Sequence, residues 1–222
     1  MTHPDHIIRV KICGITRLAD AHAAINAGAH ALGFVFHPPS RRFIIPEKAK
    51  AIISALPPFV SAVGVFVNLP VPEVRAIAGL CGLHAIQLHG NESPEECYAY
   101  DRPVIKAFRL DPLEQHPALS RYKVSAVLMD AGAAGEWGGT GVPLDWELLK
   151  QRLASEPEAV RRRIVLAGGL APHNVQRAVN LVEPYAVDVS TGVEVEPGIK
   201  DHQKIKEFMN AVCNRRNSDH VA

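Results

Sequence analysis

No block of basic residues, and no interleaving of aromatics with lysine or arginine, occurs anywhere in the sequence. Lysine and arginine (24) nearly balance aspartate and glutamate (23), and the formal net charge of +1 leaves no electrostatic footprint for nucleic acid. Cysteine is sparse. Cys13, Cys81, Cys97 and Cys213 are scattered and never spaced C-x-x-C, which argues against a zinc site. With no signal peptide recognisable, reduced thiols in the cytoplasm are expected. Long apolar runs are missing too, since stretches such as 59–67 are far too short to cross a bilayer. No G-x-G-x-x-G follows the first β-rich run, which removes the main support for an open dinucleotide-binding sheet. Asn91-Glu92-Ser93 matches a glycosylation sequon, but without secretion it carries no weight. No linker-like composition divides the chain, so a single domain is expected over residues 1–222. Its ends are a short polar N-terminus at 1–6 and a tail at 214–222.

What is present is a regular alternation. With 47% hydrophobic and 21% charged residues the composition is that of an ordinary globular chain. Eight short β-rich runs, at 8–13, 31–36, 62–67, 85–89, 104–109, 126–130, 164–168 and 186–190, are separated by helical patterns. Several runs are continuously apolar, as parallel strands covered by helices require. Ala49/Ile52/Ile53/Leu56, Val74/Ile77/Ala78/Cys81 and Val175/Ala178/Val179/Val182 each place an apolar stripe along one helix face. Ser93-Pro94-Glu95-Glu96 and Asp111-Pro112-Leu113-Glu114 supply cap, proline and N3 glutamate for two helix starts. Ile205, Phe208, Met209 and Val212 mark a last helix. Eight such units predict a (β/α)8 TIM barrel, class α/β, with an open doubly wound sheet as the alternative.

In a barrel of this kind the active site lies at the carboxyl ends of the strands. Side chains alternate along a strand, so Lys11 and Cys13 share one parity, as do Gln87 and His89, and Asp188 and Ser190. Asp130 ends an otherwise apolar run. A buried cysteine is most often core filler, and the alternative for His89 is a histidine satisfied by a neighbouring backbone group. Gln87 reads as a hydrogen-bonding wall of the pocket. Lys11 could be buried through an ion pair with Asp188 or Asp130, helping to hold the pocket rather than react. Polar residues on one parity at four strand ends are nevertheless hard to explain as core.

Glycine marks two further elements. The stretch Gly132-Ala133-Ala134-Gly135-Glu136-Trp137-Gly138-Gly139-Thr140-Gly141 is long for a strand-to-helix connection, which suggests a lid or binding loop. Gly168-Gly169 and Ser190-Thr191-Gly192 end the seventh and eighth runs, where barrels frequently hold phosphate on backbone N–H groups. Arg41 and Arg42 follow the second run, where a guanidinium could clamp a second anion.

These residues together resemble the phosphoribosylanthranilate isomerase family. The resemblance runs through Lys11-Ile12-Cys13-Gly14-Ile15-Thr16, Gly33-Phe34-Val35-Phe36 with Ser40 and Arg42, and Gly64-Val65-Phe66-Val67-Asn68. It continues through Gln87-Leu88-His89-Gly90, Met129-Asp130-Ala131, Gly138-Gly139-Thr140-Gly141, Leu166-Ala167-Gly168-Gly169-Leu170, Ser190-Thr191-Gly192-Val193-Glu194 and Gly198-Ile199-Lys200-Asp201. It implies an Amadori rearrangement of N-(5-phosphoribosyl)anthranilate in tryptophan biosynthesis, with Cys13 as base and Asp130 as acid. Lys11, Arg42, Gln87, His89, Gly139 and Asp188 would bind substrate. Gly168, Gly169, Ser190, Thr191 and Gly192 would bind its phosphate. Arg41 stands where the family usually has proline, which leaves open which arginine meets the carboxylate; Thr191 replaces a common serine but keeps the hydroxyl.

Such chemistry needs one acid and one base, with no metal or cofactor. An ordinary thiol costs about 2 kcal/mol to ionise at neutral pH, and Lys11 is expected to lower that cost. The partner implied is a phosphorylated sugar, with neither nucleic acid nor membrane, and a monomer is favoured over a homodimer. Two rivals share the architecture. The histidine-pathway aminoaldose isomerase has an aspartate where this chain has Cys13, and indole-3-glycerol phosphate synthase needs an extra N-terminal segment. A non-catalytic phosphate-sugar sensor is the reading from another class.

Overall fold

The computed structural model describes residues 7–110, 118–131 and 144–214. Its parallel strands are β1 (Arg9–Cys13), β2 (Ala31–Val35), β3 (Ser61–Phe66), β4 (Ala85–Leu88), β5 (Val104–Leu110), β6 (Ala126–Ala131), β7 (Ile164–Leu166) and β8 (Ala186–Val189). Because β1 pairs with both β2 and β8, the sheet closes into an eight-stranded barrel rather than the open alternative. Around it run α1 (Leu18–Asn26), α2 (Pro46–Ile53), α3 (Val71–Cys81), α4 (Pro94–Cys97), α5 (Trp146–Ala154), α6 (Glu158–Arg161), α7 (Val175–Val182) and α8 (His202–Cys213). No helix among the described residues is long and apolar enough to cross a membrane.

Strand alternation divides the apolar residues into two layers. Val10, Ile12, Leu32, Phe34, Ile86, Leu88, Val127 and Val187 face outward into the main core, against helix residues such as Ala78, Leu149, Val179 and Phe208. The opposite parity fills the lumen. Ala107, Ala126, Leu128, Val165, Ala167 and Ala186 form one inner cluster, and Cys13, Val35 and Val65 another. These are small or branched side chains, as a narrow barrel demands. Gly33 leaves room for these side chains: a Cβ there would lie 2.7 Å from the Cys13 sulfur and 3.0 Å from Lys11 Nζ, so any larger residue would have to displace both.

The expected helix stripes face the core, with Leu56 lying just beyond the end of α2. Ser93 caps α4 in a full capping box with Glu96. The Asp111 cap lies outside the described residues, as do the loop 132–141 with Gly139, residues 1–6 and the tail beyond Asn214. Some strands are shorter than their sequence pattern. The seventh stops at Leu166 because Gly168 and Gly169 adopt φ of +80° and +65°, which leaves the β region. His89 and Ser190 each sit one residue past a strand end, at the rim rather than inside it.

Candidate active site

The strand register decides which polar groups meet. Lys11 lies beside Asp188 and Gln87 beside Val65, while Arg109 of β5 lies beside Asp130. All are inner-parity positions near the carboxyl end of the lumen. Lys11 Nζ donates to Asp188 Oδ1 at 2.8 Å, both side chains being buried. Of its two candidate partners, then, Lys11 takes Asp188. Burial alone would lower the Lys11 pKa, but attraction to Asp188 and then to Cys13 raises it, so this ammonium stays charged.

Cys13 departs from expectation. Burial pushes its thiol up, Lys11 pulls it down and Asp188 pushes it up again, leaving a net rise. The sequence suggested that Lys11 would make the thiolate accessible. Its effect has that sign, yet it is outweighed, because Asp188 neutralises much of the lysine's charge and the site is deeply desolvated.

Asp130 accepts a hydrogen bond from the Ala131 N–H at 2.8 Å. His89 Nε2 stands 3.2 Å from Asp130 Oδ2, close enough for an ion pair but not aligned as a hydrogen bond. The other ring nitrogen, Nδ1, is 2.9 Å from Gln87 Nε2. If that amide nitrogen donates, Nδ1 accepts and the ring proton sits on Nε2, facing Asp130. Five buried side-chain polar atoms lack a hydrogen-bond partner among the described residues, and three of them, Gln87 Oε1, His89 Nε2 and Ser190 Oγ, belong to this rim. Such orphans gather where a ligand is to be met.

Beside Asp130 a cavity of about 250 Å³ opens between the ends of β7 and β8, lined by Gly168, Gly169, Asp188, Ser190, Thr191 and Gly192 among others. Its walls approach too closely for side chains. A Cβ on Gly168 would lie 2.3 Å from the Ala131 nitrogen, and one on Gly192 would lie 2.0 Å from the Leu170 oxygen. Asn174 braces the loop after β7, accepting from the Ala171 N–H and donating to the Gly169 carbonyl. Gly168→Ala combines positive φ with a backbone clash beside Asp130. It should destabilise the fold by more than about 1 kcal/mol and raise KM. A urea melt and a saturation curve coinciding with those of the parent would contradict this close approach.

Sequence reasoning assigned no role to the hairpin that follows. After a three-residue 3-10 turn at Thr191–Val193, β9 (Glu194–Glu196) and β10 (Ile199–Lys200) pair antiparallel. Glu194 and Lys200 are buried in an ion pair at 2.7 Å. Lys200 Nζ also donates to the Cys13 carbonyl. Arg42 reaches the same carboxylate with Nε at 3.0 and 3.1 Å and Nη2 at 2.7 Å, and donates to the Thr191 hydroxyl at 3.0 Å. Burial would raise the Glu194 carboxyl, but hydrogen bonds from Arg42 and the charge of Lys200 hold it below the usual carboxylate range. Arg41 is exposed on the same loop. The available signal was two charged residues, Glu194 and Lys200, within a few positions of the presumed phosphate turn.

Comparison with known proteins identifies the family. The family model described as N-(5'phosphoribosyl)anthranilate (PRA) isomerase matches residues 10–211. An N-(5'-phosphoribosyl)anthranilate isomerase of Geobacter metallireducens is 48% identical over 203 residues, covering 91% of this chain and 98% of its own. One from Geobacter sp. strain M21 is 53% identical over 201 residues, covering 90% and 96%. The crystal structure of phosphoribosyl anthranilate isomerase from Thermus thermophilus superposes with a TM-score of 0.84 at 42% identity, covering 94% of this chain and 100% of its own. A further solved isomerase, 41% identical with a TM-score of 0.79 and coverage of 93% and 98%, is in complex with reduced 1-(o-carboxyphenylamino)-1-deoxyribulose 5-phosphate. From β1 to α8, in sequence and in fold, the chain belongs to the phosphoribosylanthranilate isomerase family.

Proposed function

We infer that Cys13 and Asp130 are the base and the acid of the isomerisation for which this family is named. The enzyme converts N-(5-phosphoribosyl)anthranilate into 1-(2-carboxyphenylamino)-1-deoxyribulose 5-phosphate, a step of tryptophan biosynthesis. One observation carries the assignment. A thiol and a carboxyl group stand at the same end of one lumen, on β1 and β6, with the glycine-walled cavity between β7 and β8 on the arc that separates them.

Asp130 protonates the furanose ring oxygen. The C1–O bond breaks toward that oxygen while the nitrogen lone pair forms a protonated Schiff base at C1. The Cys13 thiol releases its proton to solvent, and the thiolate then takes the C2 proton; the C–H electrons form the C1–C2 double bond while the iminium π pair returns to nitrogen, giving an enolamine that tautomerises to the ketone. Acid–base steps of this kind contribute about 10²–10⁴-fold each. The raised thiol pKa fits this order of events: the cationic Schiff base forms next to Cys13 and favours the thiolate when a base is needed.

The phosphate occupies the cradle of Gly168, Gly169, Ser190, Thr191 and Gly192, where glycine backbones admit close N–H donors. The analogue-bound relative supports a phosphorylated, carboxylated ligand of this class. Gln87 and His89 line the opposite wall, and Gly139 is assigned to substrate by resemblance alone. Arg42, rather than Arg41, meets the anthranilate carboxylate, since its side chain turns inward and Arg41 is exposed. Arg42→Ala should raise KM about 10²-fold, the loss of a charge-assisted contact, with kcat much less affected. A KM shift confined to Arg41→Ala would reverse the choice of arginine. We place the reaction in a reducing, cytoplasmic setting, which the four unpaired cysteines favour.

The deciding assay follows loss of the anthranilate-based substrate by fluorescence. Turnover by catalytic amounts of the chain is expected. Binding without turnover would make it a phosphate-sugar sensor.

A further inference from the structure

The hairpin after β8 joins two parts of the site that catalysis must keep in register. Gly14, with φ of +78°, follows Cys13 directly, and a Cβ on it would lie 2.7 Å from Arg42 Cδ. The stem of Arg42 therefore lies across the end of β1, against the turn that leaves Cys13. Its Nε and Nη2 are taken by Glu194 and Thr191, leaving Nη1 as the edge without a hydrogen bond among the described residues. Glu194 is buried, and it is shared. Its second cation is Lys200, which also holds the Cys13 carbonyl. Burial lowers the Lys200 pKa against the pull of Glu194, and with Lys200 protonated the two cations on one carboxylate leave the cluster net positive. It can thus fix Arg42 without cancelling its attraction for an anion. Such an arrangement is wasteful as a purely structural ion pair, because apolar residues would fill the same space at less cost in desolvation.

We propose that Glu194 is a positioning residue that acts through Arg42. It holds the guanidinium over the end of β1 with Nη1 free for the aryl carboxylate, and so makes the enzyme prefer carboxylated over uncharged aryl substrates. Lys200 supplies the charge that keeps the cluster attractive to that anion and ties it to the strand bearing Cys13. The proposal rests on the reading of Arg42 as the carboxylate contact.

Glu194→Gln and Arg42→Ala are compared on N-(5-phosphoribosyl)anthranilate and on N-(5-phosphoribosyl)aniline, which lacks the carboxylate. Glu194→Gln should raise KM for the anthranilate substrate about tenfold, part of the roughly 10²-fold lost with Arg42 itself, because the guanidinium remains but is held less firmly, with kcat nearly kept. It should raise KM for the aniline substrate far less than for the anthranilate substrate. In the Arg42→Ala background the same change should add little, because the residue it positions is gone. Equal KM shifts on both substrates, no shift on either, or full multiplication of the two single effects would each overturn the proposal. If Arg42→Ala itself fails to distinguish the substrates, the reading of Arg42 falls instead. Should Glu194→Gln not fold, Glu194→Asp retracts the carboxylate while keeping its charge. A carboxylate-selective rise in KM is expected of it too, and an unselective one contradicts the proposal.

Discussion

Cys13→Ser should lower kcat by about 10² to 10⁴, the span of a lost general base, while the substrate or a product analogue still binds with nearly unchanged affinity. A hydroxyl keeps the shape of the thiol and a hydrogen bond, but it cannot supply an anion at neutral pH. The raised thiol pKa adds a direction in pH. Only the thiolate can accept the C2 proton, so in the parent enzyme kcat/KM should climb as pH rises toward the Cys13 pKa, its acidic limb displaced above that of an ordinary cysteine. In Cys13→Ser that limb should vanish with the activity. Lys11→Met would move it further alkaline, since Lys11 is the largest influence lowering the thiol pKa. Near-parent turnover in the serine variant would remove Cys13 from the mechanism.

Asp130→Asn should be comparably damaging, by about 10² or more in kcat. The amide is isosteric and can still accept from the Ala131 N–H, so the end of β6 should hold its shape. What it loses is the proton for the ring oxygen, without which the sugar stays closed and Cys13 has no acidified C2 hydrogen to remove. The two losses should therefore not multiply. The double variant should resemble the worse single one, because both residues serve one reaction sequence. A fully multiplicative double variant would mean that the two groups act on separate processes.

Much of this site was visible in the sequence because strand alternation is a local rule. Lys11 and Cys13, Gln87 and His89, and Asp188 and Ser190 could be assigned to one face by counting alone. Closure was legible from the number of repeats. Partners across the barrel were not, because Lys11 and Asp188 lie 177 positions apart and their register is set by the whole chain between them, not by either strand. That is why Lys11 stayed undecided between Asp188 and Asp130. The net rise of the Cys13 pKa was hidden for a related reason, since a lysine near a thiol has a legible sign but its neutralisation by a third group depends on tertiary packing. The hairpin carrying Glu194 and Lys200 has neither helical nor strand periodicity of useful length, so nothing local showed that these two charged residues are buried.

The stretch Asn91-Glu92-Ser93 teaches the same lesson in miniature. As a sequence it is a sequon without context. In the fold Glu92 is buried, accepts from the Asn68 and Gly90 N–H groups and pairs with Lys106, which points outward from β5. This clamp ties the ends of β3, β4 and β5 together directly beneath the residue that follows His89. Charge patterning alone would have left both Glu92 and Lys106 on the surface.

The most direct test is a crystal structure of this chain with the reduced product analogue 1-(o-carboxyphenylamino)-1-deoxyribulose 5-phosphate. The account predicts the Cys13 sulfur within about 3.5 Å of C2 and Asp130 hydrogen-bonded to the oxygen that closes the ring in the substrate. It also predicts the phosphate among Gly168, Gly169 and Ser190–Gly192, with the carboxylate on Arg42. An analogue whose C2 lies out of reach of Cys13, with Asp130 turned away from the sugar, would contradict it.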